Sequence, residues 1–117
     1  MADWWQWSQQ KEEQALTFAV VGVGRFGTAV CRELISNGVD VLAADASEKA
    51  IDDLRQLEPS IEARVIDCTD EESMKESGIL EMNTVVVGIS EPIEASITTT
   101  LIAKDSEGTK VKRVIAR

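Results

Sequence analysis

From Leu16 onward, short runs of branched apolar residues alternate with stretches in which apolar residues recur every three or four positions, and each run ends in Gly, Asp or Ser. This rhythm predicts five strands and four helices. The strands are expected at Leu16 to Val21, Val39 to Asp45, Ala63 to Ile66, Thr84 to Val87 and Val111 to Ala116. The first helix is expected from Arg25 to Asn37, burying Phe26, Ala29, Val30 and Leu34 and stopping at Gly38. Ser47 is the expected cap of the second, whose Ile51 and Leu54 share a face, with Pro59 in the loop beyond Leu57. Thr69 and Glu72 have the spacing of a capping box for a short third helix that stops near Gly78. Ser90, with Pro92 in the first turn, is the expected start of the fourth, in which Ile93, Ile97 and Leu101 form a buried stripe.

Strands separated by helical crossovers pair in parallel with right-handed connections. The expected architecture is therefore α/β, a doubly wound parallel sheet of strand order 3-2-1-4-5 with helices on both faces. Gly108 closes the last connection, and no helix follows the fifth strand, so residues 16–117 read as a domain cut short after that strand. Residues 1–15 form a leader outside the rhythm, and its Trp4, Trp5 and Trp7 are too apolar for an ordinary disordered tail. It reads as a segment that docks, on its own domain or on a partner.

Charge and composition narrow the function. The formal net charge is −9, and the basic residues do not cluster, which argues against a nucleic-acid partner. No run approaches the roughly 20 apolar residues of a membrane span, and no secretory signal opens the chain, so a soluble cytoplasmic protein is expected. Cys31 and Cys68 lie far apart and the chain has no histidine. A metal set is not expected, the commonest general base is missing, and no catalytic residue stands out.

The strongest chemical signal is Gly22-Val23-Gly24-Arg25-Phe26-Gly27, a G-x-G-x-x-G that follows a predicted strand and opens a predicted helix. Gly22 permits the tight turn, Gly24 lets backbone approach a pyrophosphate, and Gly27 lets the helix pack against the strands. Phosphates are expected at that helix N-terminus, with Arg25 folding over them and Phe26 packing in the core. Ala44 and Asp45 end the second strand, where an acidic side chain accepts hydrogen bonds from an adenosine ribose. That aspartate would repel a 2′-phosphate, which disfavours NADP against NAD(H), ADP or ATP. Ligands of such Rossmann-like sheets bind beyond the carboxyl ends of the strands, so Asp67, Cys68, Ile89 and Ser90 are expected to rim the pocket.

Phe18-Ala19-Val20-Val21-Gly22-Val23-Gly24-Arg25-Phe26-Gly27, together with Asp67-Cys68-Thr69-Asp70-Glu71-Glu72, resembles the RCK N-terminal domain family, also called KTN or TrkA-N. The regulatory subunits of potassium uptake systems are its most similar members. The resemblance implies a cytosolic gating domain, peripheral to the inner face of the membrane through a potassium-translocating subunit. It further implies NAD(H), ADP or ATP surrounded by Gly22 to Gly27, Asp45, Asp67, Cys68, Ile89 and Ser90, and assembly into homodimers or a gating ring whose shape follows the nucleotide. Cys68 departs from the alanine frequent at its position.

Two other readings fit parts of the sequence. The glycine fingerprint alone would suit the NAD-binding domain of a dehydrogenase lacking its substrate domain, although strand four ends in Gly88-Ile89-Ser90 with no evident acid or base. An assembly module would use Trp4 and Trp7 as anchors.

Overall fold

The structure, a computed structural model, describes residues 16–116. Its elements follow in the order β1 (Phe18–Val21), α1 (Arg25–Ser36), β2 (Val41–Asp45), α2 (Glu48–Leu57), β3 (Glu62–Val65) and α3 (Glu71–Ser77). A 3-10 turn (Ile79–Glu81), β4 (Thr84–Val87), α4 (Ile93–Asp105) and β5 (Arg113–Ala116) complete the order. All strands pair in parallel in one sheet of order β3-β2-β1-β4-β5, the Rossmann-like topology expected from the alternating pattern. The tryptophan leader lies outside the described residues.

The continuous apolar runs reflect a sheet covered on both faces, because successive side chains of a strand point to opposite sides. Ala19, Val21, Leu42, Ala44, Val85 and Val87 pack with Met74, Ile79 and Ala103 on one face. Val20, Val41, Ala43, Ala63 and Val86 pack with Cys31, Ile51 and Leu54 on the other. Register aligns the strand ends that carry the chemistry: Val21 pairs with both Ala44 and Val87. Gly22, Asp45 and Gly88 therefore leave the sheet at the same edge.

β1, β2 and β5 start two residues later than expected, since a residue counts in the ladder only where a neighbour pairs with it, and β4 has the expected range. Phe18 is the first residue of β1 to pair, with Val41 and Thr84, and Leu16 is exposed. β3 lies one residue earlier than the expected range, at Glu62–Val65, and β5 begins at Arg113 rather than Val111.

Four helix expectations need correction. Ile93, Ile97 and Leu101 are exposed, at 67%, 53% and 54%. The buried face of α4 is instead Thr99 and Ala103, whose small side chains allow close approach to the sheet; the Thr99 hydroxyl also donates to the Cys68 carbonyl at 2.9 Å. Periodicity identifies a stripe but not which of two stripes faces inward. In α1, Ala29 is exposed, while Gly27 and Cys31 are buried with Phe26, Val30 and Leu34 flanking them. The absence of a side chain at Gly27 brings that line of the helix against the sheet.

The cap of α3 is Asp70, which accepts from the Ser73 amide at 3.0 Å and the Ser73 hydroxyl at 2.7 Å. Thr69 is taken up by Asp67, whose Oδ1 accepts from both its amide and its hydroxyl, so the capping role falls one residue later. Ser90 does not start α4; Pro92 occupies the N-cap in extended conformation and the helix begins at Ile93. A proline holds the residue before it out of helical conformation.

Candidate functional site

At the carboxyl edge of the sheet, a cleft of about 300 Å³ opens between the β1–α1 turn and the loops after β2, β3 and β4. That volume lies at the small end of ordinary ligand pockets. Its lining includes seven of the expected site residues: Gly22, Gly24, Asp45, Asp67, Cys68, Ile89 and Ser90.

The turn itself is held by steric and polar constraints that name its residues. Gly22 has φ +92°, and a Cβ there would meet the Ile89 amide nitrogen at 2.8 Å. A Cβ on Gly27 would stand 1.9 Å from the Gly22 carbonyl oxygen, and one on Gly88 would stand 2.7 Å from the same atom. These three glycines are required by backbone packing alone. Gly24 differs: its φ is −71° and a Cβ there would have nothing within 4 Å. Among the described residues no contact demands a glycine at that position, and the added carbon would stand in open space beside the cleft.

Asp45 braces the turn from the neighbouring strand. Its Oδ2 accepts from the Val23 amide and its Oδ1 from the Ser47 amide, both at 2.8 Å. Ser47 in turn caps α2 by accepting from the Ala50 amide, so the aspartate and the serine hold successive turns rather than competing for one. A carboxylate offers about four acceptor positions. Those not used by the two amides are available to a ligand's hydroxyls.

Among the described residues no side chain caps the start of α1, and its first turn carries no acidic residue. The positive end of its dipole is thus left for groups in the cleft. On the far wall, the Thr69 hydroxyl and then its amide hold the Asp67 carboxyl below its usual range. Burial first, and then the Asp45 and Asp67 charges, push the Cys68 thiol up to about 12. Burial does the same to Cys31, also to about 12. Cys68 is a protonated wall of the cleft rather than a thiolate nucleophile.

Five expected site residues stand outside the lining. Ala44 is buried in the sheet, where its carbonyl accepts from the Gly22 amide at 2.8 Å. Gly27 lies beneath the turn, Phe26 packs against the α1 side of the core, and Val23 spends its amide on Asp45. Arg25 lines a different groove, between α1 and α2, with Thr28, Arg32 and Leu57. It starts a helix whose outward face turns that way. Conversely, the cleft is also lined by Ala46, Thr69, Gly88, Glu91, Pro92 and Ala95, none of which the sequence placed in the site. Ala46 and Gly88 directly follow strand ends, and Thr69 and Glu91 follow the expected site residues Cys68 and Ser90, so position alone would have found these four; Ala95 needed the true orientation of α4.

The sequence profile of the TrkA-N domain family matches residues 18–117. The chain is 41% identical over 88 residues to Ktr system potassium uptake protein C of Bacillus subtilis (strain 168), covering 75% of this chain and 39% of that protein. It is 40% identical over 89 residues to Ktr system potassium uptake protein A of Vibrio alginolyticus, covering 76% and 40%. The chain thus spans about two fifths of the length of these relatives. Among solved structures, it is similar to the NAD(P)-binding domain of an exopolyphosphatase-related protein from Archaeoglobus fulgidus. That similarity has a TM-score of 0.71 at 25% identity, over 86% of this chain and 72% of that one.

Proposed function

Since the chain belongs to the TrkA-N domain family, we propose that it is the nucleotide-sensing part of a regulatory subunit of a potassium uptake system. It binds an adenine nucleotide, NAD(H), ADP or ATP, in the cleft, and ligand state is passed on by a change of conformation. Gly24 is the observation that carries this reading: it is a glycine whose Cβ would meet nothing among the described residues, placed where a pyrophosphate would press on backbone. The phosphates lie over the uncapped start of α1, and Asp45 accepts from the ribose hydroxyls with the lone pairs its two amide bonds leave. The same carboxylate repels a 2′-phosphate, which disfavours NADP. Asp67, Cys68, Ile89 and Ser90 complete the walls, and Arg25 stays outside this set on its own chain.

The relatives named for potassium uptake support a membrane potassium-translocating subunit as partner. In this reading the chain is peripheral on the cytoplasmic side and acts as a homo-oligomer. No helix among the described residues is long and apolar enough to cross a membrane. Regulation then requires that nucleotides bind two assembly states unequally, since only differential affinity shifts an equilibrium. No catalytic role is assigned. Calorimetric titration of the chain with ATP, ADP, NAD+, NADH and NADPH, beside Asp45→Ala, tests the binding site. The expected result is binding of adenine nucleotides, weak or absent NADPH binding, and loss with the variant. Absence of binding by every nucleotide would overturn the reading.

A further inference from the structure

The sheet order places Asp45 and Glu91 on opposite sides of the glycine turn, because β2 and β4 flank β1. Asp45 ends β2, and Glu91 follows β4 at the other wall of the same cleft. A nucleotide with its ribose on Asp45 and its phosphates over α1 therefore extends toward Glu91. The far end of the ligand differs by class. In ATP it is a terminal phosphate carrying about −1.5 to −2; in NAD(H) or ADP-ribose it is a second ribose, whose hydroxyls donate hydrogen bonds.

The charge of the cleft is one-sided. Asp45, Asp67 and Glu91 line it, and none of the described residues that line it is Lys or Arg. Arg25, the nearest cation in sequence to the turn, lines the groove between α1 and α2 instead. Phosphate charge in the cleft thus meets the amides and dipole of α1 at one end and a carboxylate at the other.

We propose that Glu91 is a specificity-determining residue that sets this site for dinucleotides of the NAD(H) type over ATP. The proposal rests on the nucleotide-binding reading above. The Glu91 carboxylate accepts from the distal ribose and repels a terminal phosphate. Coulomb repulsion between partly solvated charges at a ligand-width separation corresponds to about fivefold in affinity.

The test is calorimetric titration of the full chain and of Glu91→Gln with NAD+, ADP-ribose and ATP, without divalent cations. In the unsubstituted protein, NAD+ and ADP-ribose are expected to bind tighter than ATP. Glu91→Gln is expected to raise ATP affinity about fivefold and to leave NAD+ affinity unchanged or lower. Because Glu91 is an exposed loop residue and the replacement is isosteric, folding is not at stake; unchanged circular dichroism checks it. Nucleotides that bind with ATP favoured in the unsubstituted protein, or with an ATP to NAD+ ratio unmoved by the variant, would overturn the role of Glu91. Failure of all three ligands would overturn the nucleotide site and this inference together.

Discussion

Two glycines of the same turn should respond to the same substitution in opposite ways. In Gly27→Ala the new Cβ would lie 1.9 Å from the Gly22 carbonyl oxygen, more than an ångström inside the closest approach of ordinary carbon and oxygen, and backbone cannot yield as a flexible side chain does. Overpacking of this severity costs about 3 kcal/mol, which lowers Tm by roughly 10–20 °C in a domain of this size. In Gly24→Ala the new carbon meets nothing within 4 Å, and φ is already −71°. Replacing glycine by alanine at an N-cap costs at most about 1 kcal/mol. If Gly24 exists to admit a pyrophosphate, the same change weakens nucleotide binding at least tenfold, about 1.4 kcal/mol or more. Thermal unfolding of both variants, with calorimetric titration of Gly24→Ala, reads the two effects separately. Undiminished nucleotide affinity in Gly24→Ala would refute the assignment of that glycine to the ligand, and an unchanged Tm in Gly27→Ala would refute the packing argument.

Further outcomes follow from the same structure. Ile97→Gln should leave the urea midpoint nearly unchanged, within about 0.5 kcal/mol, because Ile97 is exposed, whereas Ile51→Ala should cost about 2–5 kcal/mol because Ile51 is fully buried. Asp70→Ala should destabilise α3 by about 1 kcal/mol, and Glu72→Gln should have little effect; equal losses would restore the capping box at Thr69 and Glu72. Thr69→Val should raise the Asp67 pKa toward the ordinary 3.8, followed by carboxyl NMR. The depressed value means that Asp67 contributes stability above pH 3.8, lost as pH falls through its lower folded pKa, and the variant should lose that contribution. Cys31 and Cys68, held protonated up to about pH 12, should resist iodoacetamide at pH 8 in the folded protein and react after unfolding in urea, as read by mass spectrometry.

The five strands, the parallel order and the glycine turn were legible in the sequence because each rests on local or nearly local rules. Branched apolar runs bury on two faces, crossovers are right-handed, and Gly22 occupies a φ that few other residues tolerate. Asp45 at the end of β2 was legible for the same reason, since strand ends converge on one edge. What the sequence could not decide was orientation. Ile93, Ile97 and Leu101 form as regular a stripe as any buried helix face, yet the choice between that stripe and Thr99 with Ala103 depends on how closely α4 approaches the sheet and on a hydroxyl that satisfies the Cys68 carbonyl. Arg25 sits inside the fingerprint, but only the direction of the first turn of α1 decides that it faces the groove beside α2. Glu91 enters the cleft because β4 lies next to β1, a neighbour distant in sequence. Local chemistry determined the elements and their turn; the packing of helices on the sheet, a matter of long-range contact and shape, decided which side chains face the cleft.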